Sequence, residues 1–107
     1  MNPGDDPASF LPTLEGVLRS RLEERPEGSY SLTMLTDPVA VQRKVMEEAF
    51  EVCLELGGGT AGTVDADRAA EEAADLVFHL MCGLVGAGVE WSAVEAVLAE
   101  RHAGGSR

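Results

Sequence analysis

Lys44-Val45-Met46-Glu47-Glu48-Ala49-Phe50-Glu51 and Glu71-Glu72-Ala73-Ala74-Asp75-Leu76-Val77-Phe78-His79 are the two stretches whose reading decides the fold. An α-helix turns once every 3.6 residues, so positions three and four apart share a face. Glu47 and Glu48 both neighbour Glu51 on that geometry, and Glu71 and Glu72 both neighbour Asp75. If the two helices pack side by side, their carboxylates meet. Two carboxylates about 5 Å apart, at an effective dielectric of about 20, repel by roughly 3 kcal/mol. A domain has only about 5–15 kcal/mol of net stability to lose. A hard divalent cation with oxygen ligands offsets such repulsion best. The bland alternative is two solvated helix faces. Against it, each acidic group adjoins an apolar stripe rather than lying opposite one.

Outward from these stretches the chain reads as all-α, with four to five helices in a bundle. The apolar residues Phe10, Leu11, Leu14, Val17, Leu18 and Leu22 repeat at helical spacing, predicting a first helix from about Ser9 to Glu24. It ends before Arg25-Pro26, because the residue preceding a proline disfavours helical geometry. Pro26-Glu27-Gly28-Ser29-Tyr30-Ser31 reads as a turn whose hydroxyls can reach a ligand, or simply as an interhelix loop. Asp37-Pro38 is a cap followed by a first-turn proline. The helix it opens carries Val41, Val45, Ala49, Val52, Cys53 and Leu56 as its apolar stripe, and Gly57-Gly58-Gly59 ends it. Thr60 to Val64 is expected to be a mobile loop. Asp65 or Asp67 caps the next helix, which places Arg68, Glu72, Asp75 and His79 on one face. From Leu76 to Val85 that helix is apolar on nearly every side. Such a segment is buried all round, and so few helices in one chain can hardly enclose it, so a subunit interface is expected. His79 is either a hydrogen-bonded core histidine or a partner standing behind Asp75. Ser92 and Glu95 have capping-box spacing and open a short last helix ending near Arg101-His102.

The chain has 107 residues and a net charge of −11. That is one domain, with residues 1–8 expected to be disordered, 9–102 folded and 103–107 a loose tail. The acidic balance disfavours nucleic acid and anionic membranes as partners. No stretch is long enough to span a membrane, the polar start resembles no signal peptide, and the location expected is cytoplasmic. Cys53 and Cys82 fall on apolar helical positions and read as reduced core cysteines.

The pairing of E-E-x-x-E at Glu47, Glu48 and Glu51 with E-x-x-D at Glu72 and Asp75 resembles the all-α nucleoside triphosphate pyrophosphatases of the MazG-like superfamily. Pro26-Glu27-Gly28-Ser29-Tyr30 resembles the P-x-G-S-Y turn of the phosphoribosyl-ATP pyrophosphatase family. The run from Gln42 to Val52, Ala74-Asp75-Leu76-Val77-Phe78-His79 and the terminal Arg101-His102 are similar to that family's later helices. Met46 and the glycine-rich stretch from Gly57 to Ala66 depart from the pattern. The resemblance implies Mg²⁺-dependent hydrolysis of phosphoribosyl-ATP to phosphoribosyl-AMP and pyrophosphate, the second step of histidine biosynthesis, by a homodimer. Glu48, Glu51, Glu72 and Asp75 are the expected ligands of Mg²⁺, with Mn²⁺ also possible by its oxygen preference. Glu47 is a fifth ligand or a base, Lys44 reaches a phosphate or pairs with Glu47 or Glu48, and Ser29 and Tyr30 grip the substrate. Two other readings stand beside this one. One is a pyrophosphatase of the same superfamily that clears free or damaged deoxynucleotides. The other is an acidic helical interaction module with no enzymatic activity.

Overall fold

The computed structural model describes residues 10–105. The expected disorder of residues 1–8 and the last two residues of the tail lie outside them. The described chain holds five α-helices and no strand: α1 (Phe10–Glu24), α2 (Tyr30–Thr36), α3 (Pro38–Leu56), α4 (Ala66–Gly86) and α5 (Trp91–Ala103). A short 3-10 turn, Gly59–Ala61, interrupts the segment expected to be a loop. No single described helix is long and apolar enough to cross a membrane.

The helices start where the side chains can satisfy their free N–H groups. Asp37 caps α3 by accepting from Ala40 N at 3.1 Å, with Pro38 in the first turn. Asp65 caps α4 by accepting from Asp67 N and Arg68 N. The expected Ser92–Glu95 box does not form. The helix opens two residues earlier, with Glu90 in the cap position, and the N–H of Trp91 donates across the molecule to Glu15 Oε2 at 2.7 Å. Glu95 instead accepts from the Trp91 indole N–H at 3.2 Å. A carboxylate brought in by α1 thus does what the local serine was expected to do.

The largest packing interface joins α3 and α4, and α1 and α2 close over α4 on another side. The core is Leu18, Met34, Leu35, Val41, Met81, Cys82 and Val85. Two small residues set the approach distances. Gly83 leaves room for Val41, and a Cβ on Gly86 would lie 2.2 Å from the Leu35 carbonyl oxygen. Met81, Cys82 and Val85 of the apolar half of α4 are buried within the one chain, against Met34 and Leu35 of α2, a helix the sequence reading did not assign, while Leu80 stays exposed. Cys53 is not a core residue: it is exposed, while Cys82 is buried, and both are free thiols. Burial pushes the Cys82 thiol up to about 11.

Candidate metal centre

Side-by-side packing of α3 on α4 brings the two acidic faces together. Carboxylate oxygens of Glu48, Glu51 and Glu72 all lie within 4.8 Å of one another. Glu48 is buried, Glu72 half-buried and Glu51 exposed, so the group is open to solvent on the Glu51 side. Oε2 of Glu48 and Oε2 of Glu72 are buried and meet no hydrogen-bond donor. Leaving such oxygens unpaired costs free energy, the more so when they are charged.

The electrostatics carry the same mark. Burial, and then the neighbouring Glu51 and Asp75, push the Glu48 carboxyl above its ordinary value. Glu72 is also raised, first because in its protonated form it would share a hydrogen bond with Glu51, then by burial. Asp75 stands outside the tightest triad but acts on both Glu48 and Glu72. Three carboxylates in close reach, two orphaned buried oxygens and a fourth carboxylate beside them suit a hard divalent cation with oxygen ligands. No thiol or imidazole completes the tight triad, which disfavours a zinc-type donor set.

The remaining residues singled out from the sequence divide. Glu47 does not join the triad: it turns outward and pairs with Lys44 Nζ at 3.5 Å. Lys44 is held in its charged form above its ordinary range, by Glu47 first and by Tyr30 next. Ser29 is the cap of α2, accepting from Leu32 N at 3.2 Å, which leaves its own hydroxyl proton free to be donated. Tyr30, half-exposed, opens α2 and bonds through Oη to His79 Nε2 at 2.6 Å. His79 is therefore the hydrogen-bonded core histidine, its Nδ1 lying 2.9 Å from the backbone carbonyl oxygen of Asp75 one turn back. Arg101 and His102 close the last turn of α5.

Two contacts escaped the sequence reading. Arg68 Nε pairs with Glu55 Oε1 at 3.3 Å, a cation one turn from Glu72 that joins the start of α4 to the end of α3. Their spacing on separate helices gives no local signal. The Tyr30–His79 bond was equally hidden, because it joins residues 49 positions apart.

Comparison with known proteins adds to this geometry. Residues 11–102 match the family model described as phosphoribosyl-ATP pyrophosphohydrolase. The chain is 36% identical to the phosphoribosyl-ATP pyrophosphatase of Leptospira biflexa, over 87% of this chain and 97% of that one. It is 38% identical to the phosphoribosyl-ATP pyrophosphatase of Rhodopirellula baltica, over 90% of this chain and 81% of that one. It is 32% identical to the histidine biosynthesis bifunctional protein HisIE of Bacteroides thetaiotaomicron, over 92% of this chain. The chain spans about half of that bifunctional relative, 46% of its length. No solved structure gives a significant match.

Proposed function

Because the chain belongs to the phosphoribosyl-ATP pyrophosphohydrolase family, we propose that it hydrolyses phosphoribosyl-ATP to phosphoribosyl-AMP and pyrophosphate, a step of histidine biosynthesis, with Mg²⁺ as cofactor. The observation that carries the cofactor is the Glu48, Glu51 and Glu72 triad with its two buried, unpaired oxygens. Glu48, Glu51, Glu72 and Asp75 would hold the ion. When bound it would neutralise phosphate oxygens and make a coordinated water a stronger nucleophile.

The chain's own groups supply the rest. A net charge of −11 repels a triphosphate, so local positive charge has to be placed deliberately. Lys44 projects one turn before Glu48 and can leave its exposed pairing with Glu47 for a phosphate at little cost. Glu47 is thereby assigned to orienting Lys44 rather than to the ion. The free proton of the Ser29 hydroxyl suits a phosphate oxygen. Attack by water on a phosphoanhydride is then a matter of position and charge neutralisation, which fixed side chains on packed helices provide.

The acting species is proposed to be a homodimer. Met46, Phe50 and Leu54 are each at least half-exposed and recur every fourth residue on α3, forming an apolar stripe that its own chain leaves uncovered.

Pyrophosphate release from phosphoribosyl-ATP, dUTP and dCTP is the test. Turnover of phosphoribosyl-ATP well above the deoxynucleotides, dependent on Mg²⁺ and abolished by EDTA, is expected. Glu51→Ala and Asp75→Ala should each lower it to about one-hundredth or less while the helical content is kept. Equal or better turnover of dUTP would replace this substrate by a deoxynucleotide.

A further inference from the structure

The two acidic faces share one layout. On α3, Lys44, Glu48, Glu51 and Glu55 stand at i, i+4, i+7 and i+11, and on α4, Arg68, Glu72, Asp75 and His79 repeat that spacing. Each face opens on a cation one turn before its first carboxylate. The helices run antiparallel: Arg68 meets Glu55 at 3.3 Å, Glu72 comes within 4.8 Å of Glu51, and His79 lies 4.0 Å from Glu48. The two cations therefore land at opposite ends of a strip of carboxylates. From Lys44 to the level of Glu55 is eleven residues, about 16 Å at a rise of about 1.5 Å each.

The chain fixes where Arg68 stands. In the turn before α4, Gly58 has φ +84°, and a Cβ on it would lie 2.7 Å from the Thr63 nitrogen, so only glycine fits there. Asp65 then caps the helix by accepting from the backbone N–H of Arg68 at 3.2 Å. The Glu55 carboxylate, itself 17% exposed, holds Nε of a side chain that is 62% exposed. A guanidinium has five N–H donors in a planar fork that matches a phosphate. A contact through Nε does not use them all, and so exposed a pair contributes little to the fold.

The substrate proposed above has two phosphorylated ends, a triphosphate on one ribose and a monophosphate on the other. Tyr30 bonds to His79, the last position of the α4 face, at the Lys44 end of the strip. Ser29, with its free hydroxyl proton, precedes Tyr30 in the chain, so two donors suited to the triphosphate stand at that end. Arg68 supplies a donor fork at the other.

We propose that Arg68, oriented by Glu55, is a specificity-determining residue that binds the ribose monophosphate of phosphoribosyl-ATP, the group that a free nucleoside triphosphate lacks. The substrate in this statement rests on the function proposed above.

Isothermal titration of the full chain in Mg²⁺ with phosphoribosyl-AMP, AMP and pyrophosphate tests it. Phosphoribosyl-AMP keeps the ribose monophosphate, AMP lacks it, and pyrophosphate stands for the opposite end. Arg68→Gln should weaken phosphoribosyl-AMP about tenfold and leave AMP and pyrophosphate within about twofold. Arg68→Lys, which keeps the charge and loses the fork, should fall between. Glu55→Gln should weaken phosphoribosyl-AMP alone, by about threefold, as a positioning residue would. In turnover, Arg68→Gln should raise KM for phosphoribosyl-ATP about tenfold with kcat changed less than about threefold. Unchanged affinity for phosphoribosyl-AMP, or a loss shared equally by all three ligands, would overturn the proposal, the second outcome reducing the Arg68–Glu55 pair to a staple between helices. Melting curves on each variant identify any loss that comes from unfolding. If the unmodified chain fails to hydrolyse phosphoribosyl-ATP, this inference falls together with that function; if it succeeds and Arg68→Gln binds as the unmodified chain does, this inference falls alone.

Discussion

Glu48 is buried, close to two other carboxylates, and has an oxygen that no donor reaches. The folded protein holds its proton, and that of Glu72, more tightly than an unfolded chain with the ordinary value of 4.5 does. The sign of the linkage follows. A carboxyl raised by folding contributes stability below the unfolded value, and that contribution is lost as pH rises through the folded one. Metal-free protein should therefore melt at progressively lower temperature as pH rises from about 4.5 toward neutrality. Glu48→Gln should flatten that slope and raise the metal-free melting temperature at neutral pH by a few degrees, while abolishing Mg²⁺-dependent protection. Thermal melts across pH, with and without Mg²⁺, check this; a Glu48→Gln chain with an unchanged slope would refute it. The residues themselves were legible in the sequence, since carboxylates at i and i+3 announce a shared face. Their separate fates were not. Glu47 and Glu48 are adjacent in the chain, and a turn of 100° sends one to Lys44 and the other into the bundle.

At the scale of elements, the deciding contact is that of α2 with α4. The Leu35 carbonyl passes so close to Gly86 that a Cβ there would lie 2.2 Å from its oxygen. Gly86→Ala must push α2 outward and should cost about 1–3 kcal/mol in urea unfolding. The shift should also reach Tyr30 at the other end of the same short helix, raising KM for phosphoribosyl-ATP before kcat. Unaltered stability in Gly86→Ala would mean that α2 yields without strain. The long helices were legible because each carries a sustained apolar stripe, and α3 and α4 also open on aspartate caps. The seven-residue α2 was not. It is too short for its own periodicity to stand out, and helices of that length owe their existence to packing rather than to propensity. For the same reason Ser92 lost its predicted capping role: the half-buried Glu15 carboxylate from α1 takes the N–H of Trp91, and nothing near Trp91 in the chain could signal it.

For the whole molecule, the stripe of Met46, Phe50 and Leu54 is an apolar face of α3 that one chain leaves exposed. Apolar side chains at such exposure gain about 25 cal/mol per Å² when a second surface covers them. Phe50→Glu should shift the protein from dimer to monomer in sedimentation equilibrium and lower turnover of phosphoribosyl-ATP. A wild-type chain that sediments as a monomer would refute the assembly, and with it the reading of this stripe. By itself the sequence determined the all-α class, the boundaries of the long helices and the identity of the carboxylates, because helical period, capping chemistry and charge repulsion act between residues close in the chain. Only the tertiary structure decided which carboxylates converge, that Glu15 accepts from the first N–H of α5 and that Tyr30 pairs with His79. Those are contacts between separate helices, governed by packing distances of a few ångströms that no local pattern encodes.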